Sequence, residues 1–410
     1  MSGHRVVITG AGAFSACGMG ADALWHAARD GKSGVHEVLF DRIRDQKVTQ
    51  AAAISEGLLR AHEVHTRPRM QDRVSNFALI ATEEAMTQAG LAPGDLGEET
   101  GVIVGTGFGG AETLDNNYWM FSRQVNERMD PFCIPRVMNN AAASWISMTW
   151  GATGPVYCNS TACSAASQSI GLAYQMVKGG IMERCITGGT EGCVVPGVFK
   201  AWEALRVLSP TKCRPFSKDR NGMVLGEGAG ILVIETLESA QARGAGVLAE
   251  IVGYGTSSDA GDLLRPDPVG AASSMRKALA DAGIEPTDIG YINAHGTATV
   301  ANDSSETEAM RMVFGAALDD LAVSSTKPVH GHALGAAGAL EMIVTLGALR
   351  DQMAPPNLNF TEADPKVPLT PVLGEARAID TRYCLSNSFA FGGINASLIL
   401  GRADAHSLGQ

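Results

Sequence analysis

The stretches RVVITGAG at 5–12 and AEIVGYGT at 249–256 decide the fold of this 410-residue chain. Each is an apolar run that leads into closely spaced glycines, a pattern that predicts a buried strand entering a tight turn. Helix-patterned residues follow both stretches. We therefore expect an α/β fold whose second half repeats the first, with Ile8 corresponding to Val252.

This repeat divides the chain into an N-terminal half, residues 1–245, and a C-terminal half, residues 246–410. No low-complexity tract, proline-rich linker or long charge run separates the halves, so we expect them to pack tightly together. The first half is the longer one. We place its extra residues at 105–155 and 190–230, because such insertions form loops or small caps beside functional sites.

Composition excludes several classes of protein. With 45% hydrophobic and 18% charged residues, the chain can bury a large core. A net charge of −11 argues against general affinity for nucleic acid or anionic lipid. The uncharged run 156–177 is interrupted by polar side chains, which favours a buried helix over a membrane span. The N-terminal apolar run is too short and glycine-broken for a signal peptide.

Cysteine usage indicates a reducing compartment. The eight cysteines include neither a CxxC pair nor a Cys/His cluster of zinc spacing. Their sparse distribution over a long chain does not resemble a disulfide framework. We therefore expect reduced thiols, no structural zinc and a cytoplasmic location.

The stretch STACSAA at 160–166 surrounds one cysteine with small residues. Cys163 falls in or beside the first turn of a helix predicted to reach Val177, where unpaired N–H groups and the helix dipole stabilise a thiolate. Its small neighbours leave room for an acyl group, and free N–H groups there suit the oxyanion of a thioester. A single cysteine of this kind is more often structural, so the hypothesis depends on further motifs.

Two histidines occupy the ends of predicted elements. His295 follows a strand-like run within NAHGTAT at 293–299, and His332 opens an apolar helix within STKPVHGHALGAAGALE at 325–341. Two neutral imidazoles that present N–H groups stabilise an enolate oxygen without removing a proton from the nucleophile. The alternative for either histidine is an ordinary place in the core.

Two charged residues accompany the second histidine. Lys327 lies five residues before His332, and Glu341 lies nine residues after it in an otherwise uncharged helix. A buried carboxylate there requires partners. Lys327 is predicted to supply positive potential near the histidines, and Glu341 to hold the surrounding network. The alternative is a single structural ion pair.

Together with SNSFAFGGIN at 386–395, these stretches resemble the signature motifs of the β-ketoacyl-acyl carrier protein synthases, the elongating type I/II ketosynthases of the thiolase-like superfamily. RPFSKDRNGMVLGEGAG at 214–230 also matches, and the resemblance covers almost the whole chain. It implies a duplicated thiolase-like α/β fold of five layers, α/β/α/β/α, with mixed sheets. It also implies a homodimer, or a heterodimer with a related ketosynthase-like chain.

The resemblance implies a role for each of these residues. Cys163 is similar to the family nucleophile, His295 and His332 to its histidine pair, Lys327 to its catalytic-site lysine and Glu341 to its supporting carboxylate. The implied reaction is a decarboxylative Claisen condensation between an acyl-cysteine and malonyl-acyl carrier protein. It gives a 3-oxoacyl-acyl carrier protein two carbons longer. No metal or redox cofactor is implied, since the phosphopantetheine arm arrives on the acyl carrier protein.

The resemblance also implies residues that bind the arm, the acyl chain, the carrier protein and a structural monovalent cation. They are Thr297 and Thr299 for the arm, Phe108 and Trp202 for the acyl pocket, Arg67, Arg69, Arg128 and Arg206 for carrier docking, and Asn293, Glu341, Ser386 and Asn387 for the cation.

A gate and an oxyanion hole are implied next to the nucleophile. Phe391 resembles the gating phenylalanine, and its backbone N–H with that of Cys163 would bind the oxyanion. Ala390 stands where the family usually has glycine, so loop movement is predicted to be restricted. Because Phe108 and Trp202 both remove volume from the acyl pocket, we expect a preference for short, or flat and rigid, acyl chains.

Three other interpretations are compatible with parts of the sequence. GAGAFSACG suggests a dinucleotide-binding turn, but Ser15 stands where the third glycine is needed. A thiolase shares the expected fold, although its nucleophile lies earlier in the chain. A non-catalytic subunit that sets chain length for another ketosynthase is the third, although such subunits typically lack the nucleophile. The pathway stays open among fatty acids, a specialised lipid, and a polyketide or polyene.

Overall fold

The computed structural model describes residues 3–67, 69–124 and 129–403. Its strands, in chain order, are β1 Val6–Ser15, β2 Gly18–Met19, β3 His36–Glu37, β4 Gln50–Ala52, β5 Thr100–Gly105, β6 Val156–Asn159, β7 Arg184–Glu191, β8 Leu225–Gly226, β9 Gly228–Thr236, β10 Ala249–Ser258, β11 Ile289–Asn293, β12 Ala322–Ser324, β13 Met353–Ala354, β14 Arg377–Ala378, β15 Tyr383–Ala390 and β16 Ile394–Gly401.

The helices are α1 Ala21–Arg29, α2 Glu56–His62, α3 Arg73–Ala89, α4 Ala111–Ser122, α5 Cys133–Val137, α6 Ala141–Trp150, α7 Ala165–Lys178, α8 Pro196–Leu205, α9 Leu237–Ala242, α10 Pro268–Ala282, α11 Val300–Phe314, α12 Lys327–His330 and α13 Ala337–Asp351. Short 3₁₀ turns, Ala162–Ser164 and Leu334–Ala336, lead into α7 and α13.

The strand order repeats between the halves. The main sheet runs β12-β11-β15-β16-β10-β1-β9-β7-β5-β6. From β1 outwards the N-terminal strands pair antiparallel, antiparallel, parallel and parallel, and from β10 outwards the C-terminal strands do the same. The halves meet at the antiparallel pair β1–β10, centred on Val7 and Glu250. The expected duplicated fold with mixed strand pairing is confirmed.

Glycines inside the first strand of each half let a helix pack directly on the sheet. The expectation of a tight turn after Ile8 is wrong, because β1 continues through these glycines to Ser15. A Cβ on Gly12 would lie 2.0 Å from the carbonyl oxygen of Ala81 in α3, and a Cβ on Gly255 would lie 2.0 Å from that of Ser274 in α10. Each glycine is therefore there for close helix–strand approach.

Two buried helices form the middle layer. α7 and α13 contact each other and strands of both halves, while α3 and α6 cover the outer face of one half and α10 covers that of the other. α13 is buried from Ala337 to Leu349, which explains its nearly uncharged sequence. The two halves of the main sheet lie on either side of α7 and α13, and α3, α6 and α10 lie outside them, which gives the five layers α/β/α/β/α. The turns that precede α7 and α13 face each other at the centre.

The uncharged run 156–177 corresponds to β6 and most of α7. Ser167, Ser169 and Tyr174 are buried against neighbouring elements of the core. The expectation of a buried helix is confirmed. Among the described residues, no helix combines the length and apolarity that crossing a bilayer requires.

Candidate active site

Cys163 lies in the strained turn between β6 and α7. Ala162 has a φ of +50°, a left-handed conformation that alanine rarely adopts. This turn sends the Cys163 side chain towards the C-terminal half, where its Sγ lies 3.1 Å from Nε2 of His332. The contact joins residues that are 169 positions apart in the sequence. The predicted meeting of this cysteine and histidine is therefore present in the structure.

The backbone of His332 is anchored before its side chain reaches the thiol. Its N–H donates to the carbonyl oxygen of Val224 at 2.7 Å, and its own carbonyl accepts from the N–H of Gly226 at 3.0 Å. These bonds tie His332 to strand β8 of the N-terminal half. The histidine lies just before the turn Leu334–Ala336, so it does not itself begin α13.

His295 completes the cluster from the end of β11. Its ring centroid lies 5.3 Å from that of His332, with an interplanar angle of 84°. A nitrogen of each imidazole and the Sγ of Cys163 all lie within 4.8 Å of one another. Lys327 Nζ is 3.2 Å from Nδ1 of His295. Because an ammonium only donates, Nδ1 accepts this bond and Nε2 carries the ring proton.

Lys327 and Glu341 form an ion pair that is fully buried behind His295. Lys327 also donates to the carbonyl oxygen of His295 at 2.5 Å, so the pair is more than an isolated structural contact. Burial raises the pKa of Glu341 to about 7, although the ammonium of Lys327 opposes this rise. The lysine is thus held by its carboxylate and in turn fixes the orientation of His295.

The thiol is neutral at rest. Burial raises the pKa of Cys163 to about 12 even though the positive charge of Lys327 lowers it. The expectation of a thiolate stabilised at a helix end is therefore wrong, because desolvation outweighs the N–H groups and the charge nearby. Burial, and next the charge of Lys327, hold the pKa of His295 and of His332 well below the usual histidine value. Both imidazoles are neutral, as predicted.

A pocket leads from the surface to this cluster. Besides Cys163 and both histidines it is lined by Trp202, Thr297, Thr299 and Phe391. Trp202 and Phe391 stack, with ring centroids 5.9 Å apart and an interplanar angle of 23°. The hydroxyls of Thr297 and Thr299 lie 2.9 Å apart on the same side of the chain. The structure thus brings together the predicted nucleophile, histidine pair, gate and arm-binding residues.

Other predicted residues lie outside the lining of this pocket. Phe108 follows β5, is 44% exposed and lies outside the pocket lining. Arg206 directly follows α8, the helix that carries Trp202. Arg67 lies over the ring of Trp145 at 5.8 Å, and Arg69 is exposed near it in sequence. Arg128 lies outside the described residues.

The residues suggested for a monovalent cation form an oxygen-rich buried site. Asn293 Oδ1, Glu341 Oε2 and Ser386 Oγ are buried and accept no hydrogen bond from the described residues. Asn387 uses its Oδ1 to accept from Ser397 Oγ at 2.8 Å. Oxygen ligands of this kind suit a hard cation, so the first three residues fit one. A bound cation would supply positive charge beside the Lys327–Glu341 pair.

Sequence reasoning missed two buried carboxylates that shape the His295 loop. Glu306 accepts from the N–H groups of His295 and Gly296, each at 2.8 Å. Asp303 accepts from the N–H of Ala298 at 3.1 Å. Both project from α11, which begins at Val300. The available signal was two acidic residues three positions apart, hence on one helix face, directly after the histidine motif.

A thiol beside two neutral imidazoles, on a duplicated fold of this kind, is the arrangement of a thiolase-like enzyme that transfers acyl groups. Comparison with known families specifies the class further. The family model described as "Beta-ketoacyl synthase, N-terminal domain" matches residues 3–240, and the one described as "Beta-ketoacyl synthase, C-terminal domain" matches residues 248–361. The chain belongs to the β-ketoacyl synthase family and is an acyltransferase that forms carbon–carbon bonds.

Relatives of known name support this assignment. Nodulation protein E of Rhizobium sp. (strain N33) is 42% identical over 399 residues, which cover 96% of this chain and 98% of the relative. The 3-oxoacyl-[acyl-carrier-protein] synthase 2 of Staphylococcus aureus (strain COL) is 40% identical over 412 residues, covering 98% and 99%. A solved structure described as the ishigamide ketosynthase/chain length factor superposes with a TM-score of 0.93 at 34% identity, covering 98% and 100%.

Proposed function

We propose that this enzyme condenses an acyl group on Cys163 with malonyl-acyl carrier protein, releasing CO2 and giving a 3-oxoacyl-acyl carrier protein. The observation that carries the proposal is the cluster of one thiol and two imidazoles within 4.8 Å at the inner end of a pocket. The name of the staphylococcal relative supports acyl carrier protein as the bearer of both substrates.

In the first step the acyl group moves to the enzyme. The Cys163 thiol gives its proton to Nε2 of His332, and the resulting sulfur anion attacks the carbonyl carbon of the carrier thioester. Backbone N–H groups of Cys163 and Phe391 bind the oxyanion. The bond to the carrier sulfur then breaks, and that sulfur leaves with the proton from His332. The enzyme is left as a thioester at Cys163.

In the second step malonyl-acyl carrier protein supplies the carbon nucleophile. Its carboxylate leaves as CO2, and the electron pair moves into the enolate of the carrier thioester. His295 Nε2–H stabilises the enolate oxygen, and His332 does so once its ring proton has moved from Nδ1 to Nε2, since no partner among the described residues holds that proton on Nδ1. The enolate carbon then attacks the acyl carbon, and the bond to Cys163 Sγ breaks. The sulfur anion takes one proton from water, which restores the resting thiol. Atoms and electrons balance without an oxidant, reductant or metal, so we propose that no resident cofactor takes part.

The acyl pocket favours short, or flat and rigid, acyl chains. Trp202 supports this proposal, because its ring stacks on that of Phe391 in the lining of the pocket beside Cys163 and occupies volume there. Phe108 gives no support, since it lies outside that pocket. Equal rates on long saturated and on short acyl-carrier thioesters would contradict the preference.

A second ketosynthase-type chain is the partner that the surface fits. Exposed apolar side chains cluster in sequence on α4 and α5, with Tyr118 60%, Phe121 55% and Ile134 66% exposed. The terminal strand of the main sheet, β6, carries a further exposed aromatic side chain, Tyr157. Such a patch marks a protein interface. Similarity to the ishigamide ketosynthase/chain length factor supports a ketosynthase-like heterodimer as well as a homodimer.

The enzyme and its carrier protein are proposed to meet in the cytoplasm, where Cys163 stays reduced. The pathway is fatty acid, specialised lipid, or polyketide or polyene elongation. Arg67, Arg69 and Arg206 are proposed to receive the acidic carrier protein, because the net charge of −11 requires local basic groups for that contact.

The decisive test is mass spectrometry of the enzyme after incubation with acyl-carrier thioesters of several chain lengths. We expect the mass of one acyl group on the peptide that contains Cys163, and its transfer to a longer product when malonyl-acyl carrier protein is added. The Cys163→Ala variant is the matched control. An unmodified Cys163 would favour a chain-length subunit, and condensation of acetyl-CoA alone would favour a thiolase.

A further inference from the structure

Glu191, at the end of β7, joins loops from the two halves of the molecule. Its Oε2 accepts from the N–H of Gly107 at 2.7 Å and from that of Gly335 at 3.0 Å. Its Oε1 accepts from the N–H of Phe108 at 3.2 Å. Glu191 is fully buried, and besides these backbone amides the hydroxyl of Thr106 donates to its Oε1 at 3.5 Å, so hydrogen bonds alone oppose the cost of burying its charge, with no cation at bonding distance among the described residues.

The loops that Glu191 joins are in direct backbone contact. A Cβ on Gly335 would lie 2.3 Å from the nitrogen of Gly107. The residue before Gly335 is Leu334, whose φ is +40°, a conformation that a leucine holds only when its surroundings impose it. Leu334 packs in the same apolar cluster as Cys163. The bond from the Gly335 N–H to Glu191 is therefore one that keeps this strained turn closed.

We propose that Glu191 is a positioning residue: it holds the turn Leu334–Ala336 against the loop at Gly107 and Phe108, and so keeps His332 in contact with the Cys163 thiol. His332 lies three residues before Gly335. Its N–H and its carbonyl are both bonded on the side of β8, and neither bond reaches the turn that follows. Glu191 supplies the restraint on the other side. This inference rests on the proposed function, since it concerns the geometry that activates Cys163.

The chemistry of the side chain makes the role testable. A glutamine has nearly the same shape, but its amide nitrogen donates instead of accepting. Whichever way it turns, this nitrogen opposes either the N–H groups of Gly107 and Gly335 or the N–H of Phe108. Burial raises the pKa of Glu191 to about 7, so measurements at pH 8 keep the carboxylate ionised in the unmodified enzyme.

The experiment compares Glu191→Gln with Glu235→Gln in the full-length enzyme. Glu235 is also fully buried, on β9, and it pairs with Arg243 and Arg184 at the opposite end of the β7–β9 strand pair. For each variant we would measure the melting temperature, the rate of Cys163 alkylation by iodoacetamide, and the kcat and KM of condensation. Alkylation needs no carrier protein, so it tests this inference even if the proposed reaction is wrong.

For Glu191→Gln we expect alkylation and kcat to fall at least about tenfold, because a displaced base costs rate out of proportion to stability, while KM changes less than about twofold. We expect the melting temperature to fall by a similar amount in both variants. In Glu235→Gln we expect the rate of Cys163 alkylation to stay unchanged. Unchanged alkylation and kcat in Glu191→Gln would overturn the inference. Equal losses of alkylation rate and kcat in both variants would also overturn the inference, because they would show a purely structural effect.

Discussion

The turns that precede α7 and α13 are equivalent in the repeat, but they serve opposite purposes. Each contains one residue in a left-handed conformation, Ala162 in the first and Leu334 in the second, and each opens a buried central helix. The next residue is Cys163 in the first turn and Gly335 in the second. One turn presents a reactive side chain, and the other omits a side chain so that backbones meet.

This difference shows how a duplicated fold produces an asymmetric site. The strained turn aims whatever follows it at the centre of the molecule, where the two halves face each other. Only one half can place a side chain at that point, because the space opposite Gly335 is occupied by the backbone of Gly107. The other half contributes to the chemistry from a position three residues earlier, with His332.

Removing the side chain from the first turn is the sharpest test of this asymmetry. In Cys163→Ala we expect acyl transfer to fall by at least about 10⁴-fold, because the nucleophile is lost. The fold should be kept, since alanine suits the small buried space. Intact-protein mass spectrometry and condensation assays measure the loss, and acylation of the variant at another cysteine would break the comparison. Release of CO2 from malonyl-acyl carrier protein should continue, because both imidazoles remain.

Removing the base tests the contribution of the second half. In His332→Ala we expect condensation to slow by about 10²- to 10³-fold, because both proton acceptance from the thiol and stabilisation of the enolate are weakened. His26→Ala, at an exposed histidine on α1, serves as the control and should keep full activity. A His332→Ala enzyme that acylates at the original rate would show that Cys163 does not depend on this imidazole.

The second turn can be tested by adding a side chain at Gly335, the position where it has none. In Gly335→Ala the new Cβ would lie 2.3 Å from the Gly107 nitrogen, and we expect a loss of about 1–3 kcal/mol of stability from this overpacking. Thermal and denaturant unfolding measure the change. Gly97→Ala is the matched control, because nothing lies within 4 Å of a Cβ there. Equal stability of the two variants would show that the turn at Gly335 tolerates a side chain after all.

The protonation state of Cys163, in the first turn, can be tested without any substitution in the second turn. With the pKa of Cys163 raised to about 12, the thiolate is the minor form at neutral pH and its fraction increases about tenfold per pH unit below that value. We expect the rate of Cys163 alkylation to rise accordingly from pH 7 to pH 10, after subtraction of the Cys163→Ala background. A plateau below pH 8 would mean that the thiol is already ionised at rest.

The fold was predictable from spacing, whereas the packing on its strands was not. The recurrence of RVVITGAG as AEIVGYGT indicated the duplication, and the strand order bears it out. Glycines in a strand look like turn signals in sequence, because the helix carbonyl that approaches Gly12 comes from Ala81, far along the chain. Close approach by a distant element leaves no local pattern.

The chemical residues of the site were predictable because each stood in a motif of small residues. Cys163, His295, His332 and Lys327 all lie in the one cluster that the resemblance implied. The ionisation of the thiol was not predictable, since burial is a property of the assembled core and outweighs the local helix end. Phe108 lies outside the lining of the pocket beside Cys163, and its loop is positioned by Glu191, a residue that no motif indicated.

The separation of 169 positions between Cys163 and His332 has a consequence for biosynthesis. During translation Cys163 is added to the chain well before His332, whose imidazole accepts the proton of the thiol. An unfinished or truncated polypeptide therefore carries this thiol without the imidazole that accepts its proton, and the proposed acyl transfer requires the C-terminal half.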